Sequence, residues 1–241
     1  EFRRVLFRSL TQDRGNANDA IQFLARLVKA TPSSRFVAEA LLQLGDHYFE
    51  KNNFRQAEEY FDRVLAANTP KTVPYAMYKK AWCAYNNQQY SSAIAQFKAV
   101  IELESTENSN YLMRLKNEAL RDIALPFVEL HKGEEAMTFY LAQGEPFNRS
   151  GLESMANLFL EKADYKNSIY FNETLLGLDP TGKKNPDYDL ALIEALRLSG
   201  NTQKSISRLF SQLPNYMQGS SWYELNSSSP ETVKGAAGRF E

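Results

Sequence analysis

Apolar and small residues recur along this chain at helical rather than alternating spacing. Leu41, Leu44 and Tyr48 follow one another at steps of three and four, with Gly45 beside them. Asn52-Asn53 interrupts the pattern, and Phe54, Ala57, Phe61, Val64 and Leu65 restart it. This predicts two amphipathic helices joined by a tight asparagine turn. The design returns at a fixed distance: Ala81, Tyr90, Ala93, Phe97, Val100 and Ile101 stand 36 residues after Gly45, Phe54, Ala57, Phe61, Val64 and Leu65. Six matched positions at one offset make an internal repeat. A third, looser copy carries Leu120, Ala124, Phe127, Gly133, Ala136 and Tyr140, with Pro126 expected to kink its first helix. A fourth carries Leu152, Met155, Ala156, Phe159, Tyr165, Ser168, Leu175, Leu176 and Pro180, and a degenerate fifth carries Leu192, Leu196, Gly200, Ser205 and Leu209.

Two antiparallel helices approach closely only where side chains are small. Gly45 and Ala57 are therefore expected to face each other at the crossing, with Tyr48 and Phe61 filling the space on either side. The run Leu41 to Tyr48, then Ala57, Phe61 and Thr69-Pro70, resembles the tetratricopeptide repeat (TPR) pattern W-x2-L-G-x2-Y…A-x3-F…P. Leu41 stands in the tryptophan position and Pro70 comes one place late. The resemblance covers about residues 15–213. It implies an all-α fold, a right-handed α-α superhelix of stacked antiparallel helix pairs, in which first helices line a concave face that holds a partner segment. The expected array spans residues 35–213, as repeats at 35–70, 71–105, 110–144, 148–180 and 186–213. Residues 214–241 are expected to form a loop and a short or truncated capping helix, with Ser229 as cap and Pro230 at its first position.

Residues 10–34 read as the second helix of a truncated repeat: Gly15 fits the inter-helix turn, and Ala20, Leu24, Leu27, Val28 and Pro32 fit the helix and its end. The first helix is then expected upstream, where EFRRVLFRS stands without the L-x2-[LM]-[GA] pattern. That string is also what the end of a common short-read sequencing adapter encodes, so residues 1–9 are read as a non-native artefact. Two other readings compete. A secretory signal would need an apolar stretch and a small-residue cleavage site, neither of which is present. A basic membrane-binding tip with three charges in so short a stretch would bind weakly.

Composition narrows the function classes. Of 241 residues, 43% are apolar, enough for a substantial core. Lys and Arg number 28 against 29 Asp and Glu, which leaves no electrostatic footprint for nucleic acid, although groove aromatics could in principle stack single-stranded bases. No apolar run approaches a membrane span. The single cysteine, Cys83, excludes an internal disulfide. His47 and His131 are too few and too far apart for a zinc site or a catalytic triad, and no glycine-rich phosphate loop is present. His47 is expected at the surface, and Cys83 as a buried small side chain rather than a nucleophile. No catalytic residue, metal site or cofactor is expected.

The partner-binding candidates are Phe49, Tyr75, Tyr78, Trp82 and Tyr85. The last four follow at steps of three, four and three, which places their rings on one stripe of a helix, with Met77, Ala81 and Ala84 on the adjoining stripe. Phe49 and Tyr85 are repeat equivalents and are expected to lie near each other. Aromatic side chains on a groove are typical interaction hot spots, whereas the same rings could equally serve as core between repeats. Chaperone-binding members of the family hold acidic C-terminal tails with a basic clamp; Leu42, Asp46, Tyr78 and Trp82 occupy those places here. The segments VPYAMYKKAWCAYNNQQYSSAIAQFKAVIEL and LKNEALRDIALPF resemble repeats of Gram-negative envelope proteins, including those of gliding-motility complexes, which implies a periplasmic or outer-membrane-associated setting. Two functions follow: a non-catalytic scaffold that binds a protein or peptide, or the arm of a larger enzyme or signalling protein.

Overall fold

The computed structural model describes residues 17–103 and 110–238; the EFRRVLFRS segment and Gly15 lie outside the described residues. The described chain is all-α, without a strand, and divides into two compact units, one ending at Pro126 and the other starting at Phe127.

The first unit contains α1 (Ala17–Ala30), α2 (Val37–Glu50), α3 (Phe54–Ala67), α4 (Val73–Asn86), α5 (Tyr90–Ile101) and α6 (Asn110–Asp122). Each helix packs on the next in the chain, and α4 also touches α6. The positions matched at the 36-residue offset are the ones most deeply enclosed: Ala57 and Ala93, Phe61 and Phe97, and Val64 and Val100 are all fully buried. Each buried phenylalanine contributes about 1.5–3 kcal/mol relative to an exposed one. Gly45 is required by this packing. A Cβ there would stand 2.5 Å from Cε1 of Phe61, so the Phe61 ring occupies the space at the crossing that Ala57 was expected to face. Tyr48 is only half-buried and stacks on Tyr60, with centroids 5.3 Å apart.

Helix α6 ends at Asp122 and a short α7 (Ala124–Glu129) follows. Pro126 explains the break: it offers no N–H to the Asp122 carbonyl, and its ring crowds that carbonyl. The second unit continues with α8 (Gly133–Leu141), α9 (Phe147–Glu161), α10 (Tyr165–Leu178), α11 (Asn185–Leu198), α12 (Thr202–Gln212), a 3-10 turn (Leu213–Tyr216), α13 (Ser221–Asn226) and α14 (Pro230–Gly238). Gly151 of α9 makes way for the Tyr140 ring as Gly45 does for Phe61.

Five helix-to-helix turns share one construction. Asn52, Gln88, His131, Ala163 and Gly200 all have positive φ, between 53° and 82°, and each stands two residues before the helix that follows. In each turn the next N–H reaches back to a carbonyl five residues earlier, as from Asn53 to Tyr48, Gln89 to Ala84, Lys132 to Phe127, Asp164 to Phe159 and Asn201 to Leu196. The left-handed residue itself donates to the carbonyl three before it. This is the Schellman closure of a helix end, which satisfies carbonyls the helix leaves unpaired. Only Gly200 and, less strongly, Asn52 have residue types the conformation favours.

The C-terminal segment folds onto the loop between α10 and α11. Trp222 donates from Nε1 to the Gly182 carbonyl at 2.7 Å, Asn226 from Nδ2 to the Thr181 carbonyl at 3.1 Å, and the Tyr216 ring meets Trp222 edge-on. Pro230 opens α14, and the Ser229 hydroxyl accepts from Lys183 at 3.1 Å.

Candidate partner-binding face

Helix α4 sorts its side chains by size. Ala76, Ala81, Cys83 and Ala84 are fully buried against the neighbouring helices, while Met77, Tyr75, Tyr78, Trp82 and Tyr85 are half-buried. The small stripe therefore includes Ala76 and Cys83 in place of Met77. Burial pushes the Cys83 thiol up to about 12, with the Glu58 charge acting in the same direction, so it stays protonated and inert at neutral pH. His47 is half-buried, edge-on to Tyr48.

The rings of α4 are engaged on both sides. The Tyr75 hydroxyl donates to Oδ1 of Asp46 on α2 at 3.3 Å, and the Tyr78 hydroxyl donates to Oδ2 of Asp122 on α6 at 2.6 Å. These two bonds tie α4 to the first helices before and after it. Trp82 meets Tyr85 edge-on at 5.5 Å and Phe97 at 5.8 Å, and Tyr78 also meets Phe97. Phe49 meets Phe54 edge-on, and the Lys79 ammonium sits 3.7 Å above its ring centroid. The same ammonium lies 3.5 Å from Asp46 and 5.9 Å from the Tyr75 ring centroid. Trp82 and Tyr85 are thus in direct contact, Tyr78 and Trp82 share Phe97, and Phe49 and Tyr75 are linked through Lys79.

Burial raises the Asp46 carboxyl, and Lys79 and Tyr75 offset that only in part. Burial also raises the Tyr75 phenol, followed by the Asp46 carboxylate and the neighbouring Tyr111 and Tyr78. Tyr78 is raised by burial and by its bond to Asp122. Tyr111 of α6, with 44% of its surface exposed, is raised by burial and then by Glu118 and Asp46. Asp46, Lys79, Tyr111 and Asp122 therefore belong to this surface, although sequence reasoning did not select them. Only Asp46 carried a signal, since the repeat offset makes it the equivalent of Trp82.

A second polar cluster lies in the other unit. Asp189 is almost completely buried and accepts from Arg208 Nε at 2.9 Å, Arg208 Nη2 at 2.5 Å and the Tyr216 hydroxyl. Its charge is satisfied, so it holds the 3-10 turn and α12 onto α11. An open groove of about 530 Å³ beside it is lined by Lys166, Ile169, Glu173, Leu196 and Lys204 among others. Among the described residues no group of three or more His, Cys, Asp or Glu is placed to hold a metal, and no helix is long and apolar enough to cross a membrane.

Residues 42–108 match the tetratricopeptide repeat family. No curated protein matches the chain. Among solved structures, a tetratricopeptide repeat protein from Parabacteroides merdae is similar over 95% of this chain and 85% of its own, at 14% identity and a TM-score of 0.49. YrrB, described as a TPR protein with an unusual peptide-binding site, is similar over 88% of this chain and 96% of its own, at 9% identity and a TM-score of 0.43. The TPR-like repeats of a kinesin light chain from Podosopora anserina are similar over 82% of this chain and 99% of theirs, at 12% identity and a TM-score of 0.42.

Proposed function

We propose that this chain, a tetratricopeptide repeat protein, is a non-catalytic scaffold that holds a protein or peptide segment against the first-helix face carrying Phe49, Tyr75, Tyr78, Trp82 and Tyr85, within a larger bacterial assembly. Repeats of this kind are protein-interaction folds. The observation that carries the reading is the sorting on α4: small residues fill the interior, and four aromatic rings in a row stay half-open. Their hydroxyls and edges are already held by neighbours, so the rings are rigid before any partner arrives. A preorganised aromatic surface loses little entropy on binding.

A random peptide library displayed on phage and panned against the full chain tests this. Peptides enriched on the wild type are expected to be lost on Trp82→Ala, while Trp82→Ala melts within a few degrees of the wild type. Equal enrichment on both would remove the face from the reading. Loss of enrichment together with collapse of the melting transition would assign Trp82 to the core alone.

A further inference from the structure

Resting on that reading, we infer that the partner segment is cationic, with arginine or lysine side chains seated between the tyrosine rings and carboxylates of α2, α4 and α6. The rings of Tyr75, Tyr78 and Tyr111 are flanked by Asp46 on α2 and by Glu118 and Asp122 on α6, and the charge of Glu50 adds to that of Asp46. Three cations share this face, and two of them are already engaged. Lys79 lies against Asp46, and Arg121 donates from Nε to Asp122 Oδ1 at 2.9 Å. Arg114 is exposed on the same stripe of α6, one turn from both Tyr111 and Glu118, and so competes with a partner's cation for Glu118. Glu118 is exposed and, among the described residues, forms no hydrogen bond or ion pair, yet its charge reaches Tyr78, Tyr111 and Arg121.

The face also contains an example of the chemistry it offers. The Lys79 ammonium rests 3.7 Å above the Phe49 ring with the Asp46 carboxylate 3.5 Å away. A cation held between an aromatic face and a carboxylate is favourable on both counts. Tyr111 and Glu118, seven residues apart on α6, present the same pair of groups to solvent. An acidic segment laid along the same rings would meet Asp46, Glu50 and Glu118 and find Lys79 and Arg121 already bound.

The probes are fluorescein-labelled octapeptides of alternating glycine with arginine, glutamine or glutamate, titrated against the full chain by fluorescence anisotropy. The arginine peptide is expected to bind and the other two to fail. Raising sodium chloride from 0.05 to about 0.5 M is expected to weaken binding by roughly tenfold or more, because exposed charge pairs are screened. The combined variant Tyr111→Ala, Glu118→Gln, at two exposed positions, is expected to weaken it by about tenfold with an unchanged melting curve. Glu173→Gln on the other unit is expected to leave it unaltered. Equal binding of all three peptides, or arginine-peptide binding indifferent to the α6 variant, overturns the inference. The phage panning separates this from failure of the underlying reading. Peptides that depend on Trp82 but are not enriched in arginine or lysine would sink the cationic partner and leave the face standing.

Discussion

The five Schellman turns provide a test in which backbone conformation is isolated from packing. Ala163 and Gly200 occupy the same place in two of them, with φ of 59° and 82°. Left-handed backbone costs an L-residue about 1–2 kcal/mol, and glycine is exempt. Glycine returns part of that advantage, about 0.4–1 kcal/mol, through the greater freedom of its unfolded chain. The balance favours glycine by up to about 1.6 kcal/mol, with the middle of the two ranges at about 0.8 kcal/mol. No atom lies within 4 Å of where a Cβ would stand at Gly200, so Gly200→Ala has no clash to confuse the result. Ala163 is exposed, so Ala163→Gly removes no buried surface. Ala163→Gly is therefore expected to stabilise and Gly200→Ala to destabilise by similar amounts, read from urea midpoints at constant slope. Gly177→Ala serves as a counter-control: it lies in the last turn of α10 at ordinary φ with nothing near its Cβ, and is expected to gain up to about 1 kcal/mol. A destabilised Ala163→Gly, or a neutral Gly200→Ala, would show that these turns are not set by left-handed strain, and the shared construction would lose its energetic meaning.

Gly45→Leu drives a side chain into the Phe61 ring and is expected to cost about 1–3 kcal/mol by overpacking, visible as a lowered melting temperature; an unchanged melt would refute the crossing. Asp164 caps α10 at Asn167 and accepts from His131; burial alone would raise its carboxyl, but these hydrogen bonds hold it below the usual range. Its stabilisation is present above the unfolded value of about 4 and fades as pH falls through the lower native value, so Asp164→Ala is expected to cost about 0.5–2 kcal/mol at pH 7 and less in strong acid, measured by urea titration at both pH values. Arg208→Met strands the buried Asp189 carboxylate and is expected to destabilise the second unit by about 3–5 kcal/mol, with Trp222 emission shifting to the red at lower urea. Helix α1 is expected to exchange its amides faster than α3, and equal protection by hydrogen exchange would contradict the nearest-neighbour picture of repeat stability.

The sequence made the apolar interior of the first two hairpins readable because one offset returned Ala57, Phe61 and Val64 as Ala93, Phe97 and Val100, and all six are buried. Pro126 announced the break after Asp122 for a local chemical reason. The turns were readable only at Asn52 and Gly200, since Gln88, His131 and Ala163 adopt left-handed backbone against their own preference. The face around α4 was half-readable. Ring spacing placed Tyr75, Tyr78, Trp82 and Tyr85 on one stripe, but Asp46 and Asp122 are 29 and 44 residues from the tyrosines they accept from. No periodicity connects them. The C-terminal clasp of Trp222 on Gly182 was hidden for the same reason, at a separation of 40 residues in a segment without repeat pattern.

Those hidden contacts share a form. Tyr75 bonds Asp46, Tyr78 bonds Asp122, Tyr188 bonds Glu153, and Tyr216 bonds Asp189. The first three each join one first helix to an adjacent first helix, α4 to α2, α4 to α6 and α11 to α9. A tyrosine covers apolar surface with its ring and carries its hydroxyl to the rim, where a carboxylate accepts it. The array therefore needs no fixed spacing at these seams, only a ring long enough to reach a neighbouring acid. Tyr78→Phe keeps the ring against Phe97 and removes only the bond to Asp122, which retains Arg121 as a partner. A hydrogen bond to a charged acceptor contributes about 1.5–3 kcal/mol, and partial exposure places this one near the lower bound. Tyr78→Phe is expected to lower stability by about 1–1.5 kcal/mol, and Asp122→Asn combined with it to cost less than the sum of the two. Additive losses would mean that the two groups do not act as a pair and that packing alone sets the seam.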